Sequence, residues 1–302
     1  MKLYAPKYYK KFKCIADKCR HSCCVGWEID IDADTFEKYS ACSHGYSAQI
    51  KETIEVDETP HFCLSEGERC PHLREDGLCK IILQAGEDFL CDICREHPRF
   101  YNDAPRGKEV GLGLCCEEAC RIILCSDDYD QIVPIGKVDG EEISYELDTV
   151  ALREYIYSIL KDASLTYTQK LQKIYGEFGV SPTYMDDDTA RELISSLEYM
   201  DEQHRELFLA YSSRTATPAE LEKQLERALA YFVFRHCTEA QDEYDYRAAL
   251  GFCLFCERLL ASVATAQGID DFDSFAEIAR IVSDELEYSE QNTNDIKFAY
   301  EA

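Results

Sequence analysis

Positive charge is scarce in this chain: among 302 residues, 32 Lys and Arg stand against 59 Asp and Glu, a formal net charge of -27. A surface this acidic repels a phosphate backbone, which excludes nucleic acid as the main partner. Long apolar stretches are missing too. No run reads as the roughly 18 residues a spanning helix needs, so no membrane partner is expected. The opening Met1-Lys2-Leu3-Tyr4-Ala5-Pro6 leads into Lys7, Lys10 and Lys11 with no apolar h-region, so no secretory signal is read there. No internal repeat or low-complexity tract occurs. A glycine-rich nucleotide fingerprint is also lacking. The one candidate, Gly111-Leu112-Gly113, follows Val110 but runs into Cys115-Cys116, not into an obvious βαβ unit.

Cysteine is abundant: there are 17, fourteen of them between Cys14 and Cys125 and the others at 237, 253 and 256. A chain of this length buries an adequate core without cross-links, so stability alone does not call for them. With no secretory signal the chain reads as cytoplasmic, where disulfides are rare and clustered thiols read as metal ligands.

Four groups carry that reading: Cys14, Cys19, Cys23 and Cys24; Cys70 and Cys79 across the turn at Gly77; Cys91-Asp92-Ile93-Cys94; and Cys115 with Cys116. A Cys-x-x-Cys pair lets two thiolates converge on one metal, and a metal or basic neighbours lower their pKa. Four-sulfur sites serve zinc and iron–sulfur clusters alike, with a [4Fe–4S] cluster preferred here and zinc the alternative. Successive side chains diverge, so one member of Cys23-Cys24 and of Cys115-Cys116 is expected to ligate while its neighbour packs. Ten thiols exceed one tetrahedral site. A Cys-x3-Cys-x2-Cys run is absent: after Cys19 and Cys23 comes Gly26, and after Cys116 and Cys120 comes Ile123. Residues 2–20 form a local basic arm, seven Lys and Arg against Asp17 alone, suited either to balance thiolate charge or to face water.

The expected fold is mainly α, with an irregular, Cys-rich metal-binding domain over residues 1–126 and a helical domain over 127–302. A short hairpin is expected at about 131–147, where Ile132, Val133 and Ile135 precede Asp139-Gly140 and Ile143, Tyr145 and Leu147 alternate after it. Leu152, Tyr155, Ile156, Ile159 and Leu160 form one helical stripe, and Leu221, Leu225, Ala228, Leu229 and Phe232 another. Thr217-Pro218-Ala219-Glu220 and Ser274 to Glu277 read as capping boxes. Cys253 and Cys256, among Phe252, Leu254 and Phe255, read as core; His236 reads as an interface histidine; Asp186-Asp187-Asp188 reads as an acidic helix start.

Pro6-Lys7-Tyr8-Tyr9, Phe12-Lys13-Cys14, Cys19, Cys23-Cys24, Gly26-Trp27, Cys91-Asp92-Ile93-Cys94-Arg95, His97-Pro98-Arg99-Phe100 and Gly111-Leu112-Gly113-Leu114-Cys115-Cys116-Glu117 together resemble the flagellin lysine-N-methylase (FliB) family. Small proteins with a Cys-x-x-Cys-x-x-Cys-Cys metal-chelating domain share part of the pattern. The resemblance covers residues 6 to about 124. It implies S-adenosylmethionine-dependent N-methylation of surface lysines on flagellin, beside an iron- or zinc-binding Cys-rich domain. Such a reaction needs a desolvated, deprotonated lysine amine held in line with a sulfonium methyl. Tyr8, Tyr9, Phe12 and Trp27 are candidate cation–π walls, or pack over a metal loop. Arg95, His97 and Arg99 suit a cofactor carboxylate, or hydrogen bonds to cluster sulfur. Glu117 and Glu118 suit a lysine proton, or water. The alternative function is a non-catalytic iron–sulfur or zinc module in which the helical half serves for docking.

Overall fold

The computed structural model describes residues 1–43, 45–140 and 145–301. The chain falls into two compact units, one formed by Met1–Phe12 with Phe100–Ala302 and the other by Lys13–Arg99. The fold is mainly α, as expected, but it adds a four-stranded and a two-stranded sheet where only a short hairpin was expected.

Strand β1 (Lys2–Pro6) opens the chain. The smaller unit then runs through short elements: α1 (Ala33–Ala41), α2 (Ser47–Lys51), β2 (Ile54–Val56), β3 (Pro60–Phe62), α3 (Lys80–Ala85) and α4 (Asp92–Glu96). β2 and β3 pair antiparallel, with Ile54 opposite Phe62. The core here is small. Among the described residues its buried members are Ile29, Ile31, Tyr39, Ile50, Phe62 and Ile81 with Cys70 and Cys91, so thiols supply part of the apolar interior.

The larger unit resumes with β4 (Arg99–Ala104) and β5 (Gly107–Leu112), then α5 (Glu117–Cys125), β6 (Ile132–Lys137), α6 (Thr149–Leu160), α7 (Tyr167–Phe178), α8 (Asp187–Ser196), α9 (Glu202–Phe208), α10 (Glu222–His236), α11 (Glu243–Gln267), α12 (Phe272–Glu287) and α13 (Glu290–Phe298). The sheet order is β4-β5-β1-β6. β1 lies parallel to β5 with Leu3 opposite Lys108, and antiparallel to β6 with Ala5 opposite Val133. This pairing needs glycine at 107: its φ is +139°, and a Cβ there would stand 2.5 Å from the Lys2 carbonyl oxygen. α11 is the central helix, buried almost without a break from Tyr246 to Ala264. It is long and apolar enough to cross a bilayer by length and composition, unlike the sequence reading, but 94% of that stretch is buried inside the unit.

The helical stripes form on α6 and α10, except that Tyr155 is exposed and Leu221 sits in the turn before α10, and Cys253 and Cys256 are fully buried on α11. Asp186 caps α8, its side chain accepting from Thr189 N at 2.8 Å. Other details differ. The units divide at Arg99/Phe100, where the sequence placed a boundary at 126. The crowding of thiols suggested one domain, yet Cys120 packs on α5 like a small aliphatic residue in the helical core. β6 pairs with β1, and among the described residues with no following strand; Ile143 of the expected hairpin lies outside the described residues. α10 is entered through a 3₁₀ turn, Ala219–Leu221, with no side-chain cap. Thr217 Oγ1 instead accepts from Arg258 Nη2 at 3.3 Å. α12 is capped three residues before the expected position, because Asp271 Oδ1 takes the Ser274 N–H at 2.9 Å.

Candidate metal centre

In the smaller unit, local pairing brings distant cysteines together. An antiparallel bridge between Val25 and Arg69 sets Cys24 beside Cys70, whose N–H donates to the Cys24 carbonyl at 2.8 Å. A second bridge, Leu73 to Cys79, folds Cys79 back, and Cys79 then stands at the N-cap of α3. Cys91 is the N-cap of α4 and Cys94 lies within that helix. Asp32 fixes the arrangement from outside: Oδ1 caps α1 through Thr35 N at 2.9 Å, and Oδ2 accepts the Asp92 N–H at 2.8 Å. Partial burial pushes the Asp32 carboxyl up, but these bonds outweigh it and hold the group below its ordinary range.

Cys24, Cys70, Cys79, Cys91 and Cys94 are thiols close enough to feel one another's charge. A hydrogen bond from the Cys23 side chain lowers Cys24 to about 7, with Ser22 and Arg69 adding to the effect. Burial raises Cys70 to about 12. Burial raises Cys79 too, while backbone N–H groups at the start of α3 pull against it. A hydrogen bond from the Cys94 side chain lowers Cys91, and the Cys94 N–H in α4 adds to it, the usual way a helix start favours a thiolate. Soft donors on an apolar wall, with main-chain N–H groups aimed at them, suit iron–sulfur or zinc chemistry. Among the described residues, however, no three His, Cys, Asp or Glu side chains stand in a group that could grip an ion in this conformation. Binding would therefore have to draw the thiols inward.

The other sequence candidates separate. Cys14 is exposed, and Cys19 Sγ donates to the His21 carbonyl at 3.0 Å. Cys115 and Cys116 belong to the larger unit. Tyr8, proposed as a cofactor wall, is only 2% exposed in that unit's core and offers no face to a ligand. Trp27 Nε1 donates to the Cys23 carbonyl at 2.9 Å, and the ring lies 6.4 Å from the His97 ring. Burial, with the charge of Arg99, lowers His97 to about 4. Arg99 Nη1 donates to the carbonyls of Arg95 and Glu96, and Arg95 pairs with Asp92. Glu118 is held by Arg121 at 2.7 Å. Of the basic arm, Lys7 and Lys11 both reach Asp128 at 3.6 Å.

The glycine–cysteine segment 111–116 feeds a network that the sequence did not announce. Cys115 Sγ lies 2.9 Å from Tyr288 Oη. Leu114 N–H donates to Tyr231 Oη, which donates in turn to Glu287 Oε2 at 3.0 Å. The Glu287 side chain is fully shielded and also receives Ser283 Oγ at 2.5 Å and His236 Nε2 at 2.6 Å, with Arg235 Nε at 3.4 Å. Gly113 has no room for a side chain, since a Cβ would meet Tyr288 Oη at 2.7 Å. The available signal was an acid in the buried stripe of α12, beside Val282 and Leu286. A buried carboxylate demands a cation, and Arg235-His236 on α10 is that partner.

This network predicts a pH dependence. Burial, with Arg235 already neutralising Glu287, lowers His236 to about 4, so it stays neutral in the fold. The unfolded chain takes up that proton below about 6.5 while the folded one does not, so stability is full above 6.5 and falls as pH drops toward 4. Glu287 is lowered as well and adds a further loss as pH falls through its folded value. The His236 contribution is on the order of 3 kcal/mol. Urea titrations from pH 7 to 4.5 should show this slope, reduced in His236→Gln; an imidazolium at His236 by NMR at pH 6 would contradict it.

Sequence comparisons align part of the chain with proteins of Salmonella. It is 29% identical over 137 residues to a lysine-N-methylase of Salmonella typhimurium and 31% identical over 137 residues to one of Salmonella choleraesuis; each match covers 41% of this chain and 32% of the relative. The chain thus spans about a third of the length of these methylases. It is 28% identical over 157 residues to the flagellar biosynthetic protein FliU of Salmonella muenchen, covering 50% of this chain and 88% of that protein. No family model matches the chain, and no solved structure does.

Proposed function

We propose, from its similarity to two lysine-N-methylases, that the chain acts in N-methylation of protein lysines, with S-adenosylmethionine as methyl donor and flagellin as the protein substrate. The observation that carries this reading is the kinship itself, at 29% and 31% identity to two lysine-N-methylases. The flagellar name of the third relative supports flagellin as the substrate.

Cys24, Cys70, Cys79, Cys91 and Cys94 are the residues that would hold a [4Fe–4S] cluster or zinc. Such a group supplies a rigid cross-link and, in the iron case, one-electron chemistry. The residues around it have their own parts. Trp27 offers an aromatic face over the first cysteine loop, suited to a sulfonium. Arg99, beside His97, offers a guanidinium suited to a carboxylate. His97, neutral in the fold, accepts or donates a hydrogen bond without adding charge.

A second reading is a non-catalytic metal module, in which the thiols of Lys13–Arg99 serve structure alone. Intact-mass analysis separates the two. Flagellin incubated with anaerobically purified protein and S-adenosylmethionine should gain single-methyl steps on lysine. Unmodified flagellin, together with no calorimetric affinity for S-adenosylmethionine, would leave the metal module as the function.

A further inference from the structure

The larger unit contains a cavity of about 480 Å³ between the segment joining α8 to α9 and the end of α12. Its walls include Glu198, Tyr199, Met200, Asp284, Tyr288 and Glu290. Three features set its chemistry. First, the floor is rigid: Glu285 accepts the Met200 and Asp201 N–H groups at 2.8 and 3.2 Å and pairs with His204 Nδ1 at 2.5 Å. Second, two apolar side chains stand in the open part of the wall, beside the exposed Glu198, Glu290 and Gln291. Met200 is 58% exposed and Tyr288 49%, although the Tyr288 hydroxyl is anchored inward on Cys115. Tyr288 is thus held at its tip and presents its ring. Third, the charge is one-sided. The cavity is lined by four carboxylates and, among the described residues, by no Lys, Arg or His.

The nearest cations are already engaged. Arg280 divides itself between Glu277 and Asp284, Arg235 serves Glu287, and Arg205 pairs with Glu202 at 2.7 Å. Burial, reinforced by Glu285 and Glu277, raises the Asp284 carboxyl to about 7 despite Arg280 and His204. Desolvation is the largest cause, and the ion pair with Arg280 offsets only part of it.

We infer that this cavity seats a primary ammonium on an aliphatic stem, with Asp284 as its charge partner and Tyr288 and Met200 along the stem. A lysine side chain has this form, and to that extent the inference rests on the lysine-methylation reading and places the acceptor side chain. The intact methyl donor fits less well. Its sulfonium would be welcome, but its carboxylate would enter a cavity that offers no cation and four acids.

The test uses the full chain and Nα-acetyl-lysine amide as probe. The protein has three methionines, so methyl-labelled Met gives three resonances, and Met200 reports on the cavity directly. Titration should shift Met200 and leave Met1 and Met185 in place, while the uncharged analogue Nα-acetyl-norleucine amide should shift none. Asp284→Asn should weaken the amine at least tenfold. Tyr288→Phe keeps the ring and should bind within about threefold of the original protein. An unmoved Met200 at saturating amine, or equal shifts with norleucine amide, would overturn the inference. So would a Met200 shift produced by S-adenosylmethionine in place of the amine. The amine titration contains no methyl donor, so it is independent of catalysis. Amine binding without methyl transfer to flagellin therefore sinks the methylation reading alone, and methyl transfer unaffected by Asp284→Asn sinks this inference alone.

Discussion

Cys91→Ser combined with Cys94→Ser is expected to abolish metal binding and to unfold Lys13–Arg99, while the helices of the other unit keep their protection. The reason lies in the size of the small core. Among the described residues its buried members are six hydrophobes and two cysteines, one of them Cys91, and its longest helix is α1, with nine residues. Helices this short are marginal on their own. Under the proposed reading, a metal held by the thiols would supply the remaining stability as a cross-link. Structural zinc sites contribute on the order of 10 kcal/mol of folding free energy, far beyond what a few short elements offer. Serine removes the soft donors while preserving shape, so loss of packing is a minor part of the effect. Metal analysis and hydrogen exchange read both halves of the prediction. Amides of α3 and α4 should exchange freely, and those of α10 and α11 should stay protected. Retained metal with protected α3 and α4 would contradict it.

Glu109→Gln should be the most damaging single change in the larger unit. Glu109 on β5 and Arg153 on α6 form a two-pronged pair, Arg153 Nη1 and Nη2 each donating to a carboxylate oxygen at 2.6 Å. Arg153 is 2% exposed, and its Nε already lacks a partner. Nη1 also donates to Thr238 Oγ1 at 3.0 Å, and the guanidinium lies 4.9 Å from the Phe234 ring. Removing one charge strands the other in the core, which costs about 3–5 kcal/mol. For a unit of this size the melting point should fall by about 10 °C. Replacing both partners, Glu109→Met with Arg153→Leu, should recover most of the loss, because a buried pair contributes little net stability over well-packed hydrophobes. A fall under about 1 kcal/mol for Glu109→Gln would show that water reaches the pair.

What could be read from the sequence was local. Leu152 to Leu160 and Leu221 to Phe232 announced α6 and α10 because helical spacing is written in neighbouring residues. The same holds for Asp186, a cap within reach of its own helix start. Pairings between distant segments were hidden. β1 takes β5 and β6 as neighbours from about a hundred residues or more further along the chain, and nothing in Lys2–Pro6 names either strand. The division of the compact units after Phe12 and after Arg99 was hidden for a related reason. Cysteine density marks a region, but Cys120 is buried among helices as a small apolar group while Cys115 is hydrogen-bonded to Tyr288, and composition does not separate such uses from ligation. Within the thiol set, spacing identified Cys91 and Cys94, while the approach of Cys24 to Cys70 depends on the Val25–Arg69 bridge. The acidic cavity was the least legible feature. Tyr199 and Tyr288, far apart in the chain, line one cavity where Glu285 accepts the backbone N–H groups of 200 and 201.

The central claim, a metal held by the thiols of Lys13–Arg99, is tested most directly by elemental analysis of the anaerobically purified protein, with iron, acid-labile sulfide and zinc quantified per chain. The account predicts iron and sulfide in matching amounts, lost together when Cys91 and Cys94 are replaced by serine. A chain that is folded over Lys13–Arg99 and contains neither iron nor zinc would contradict it.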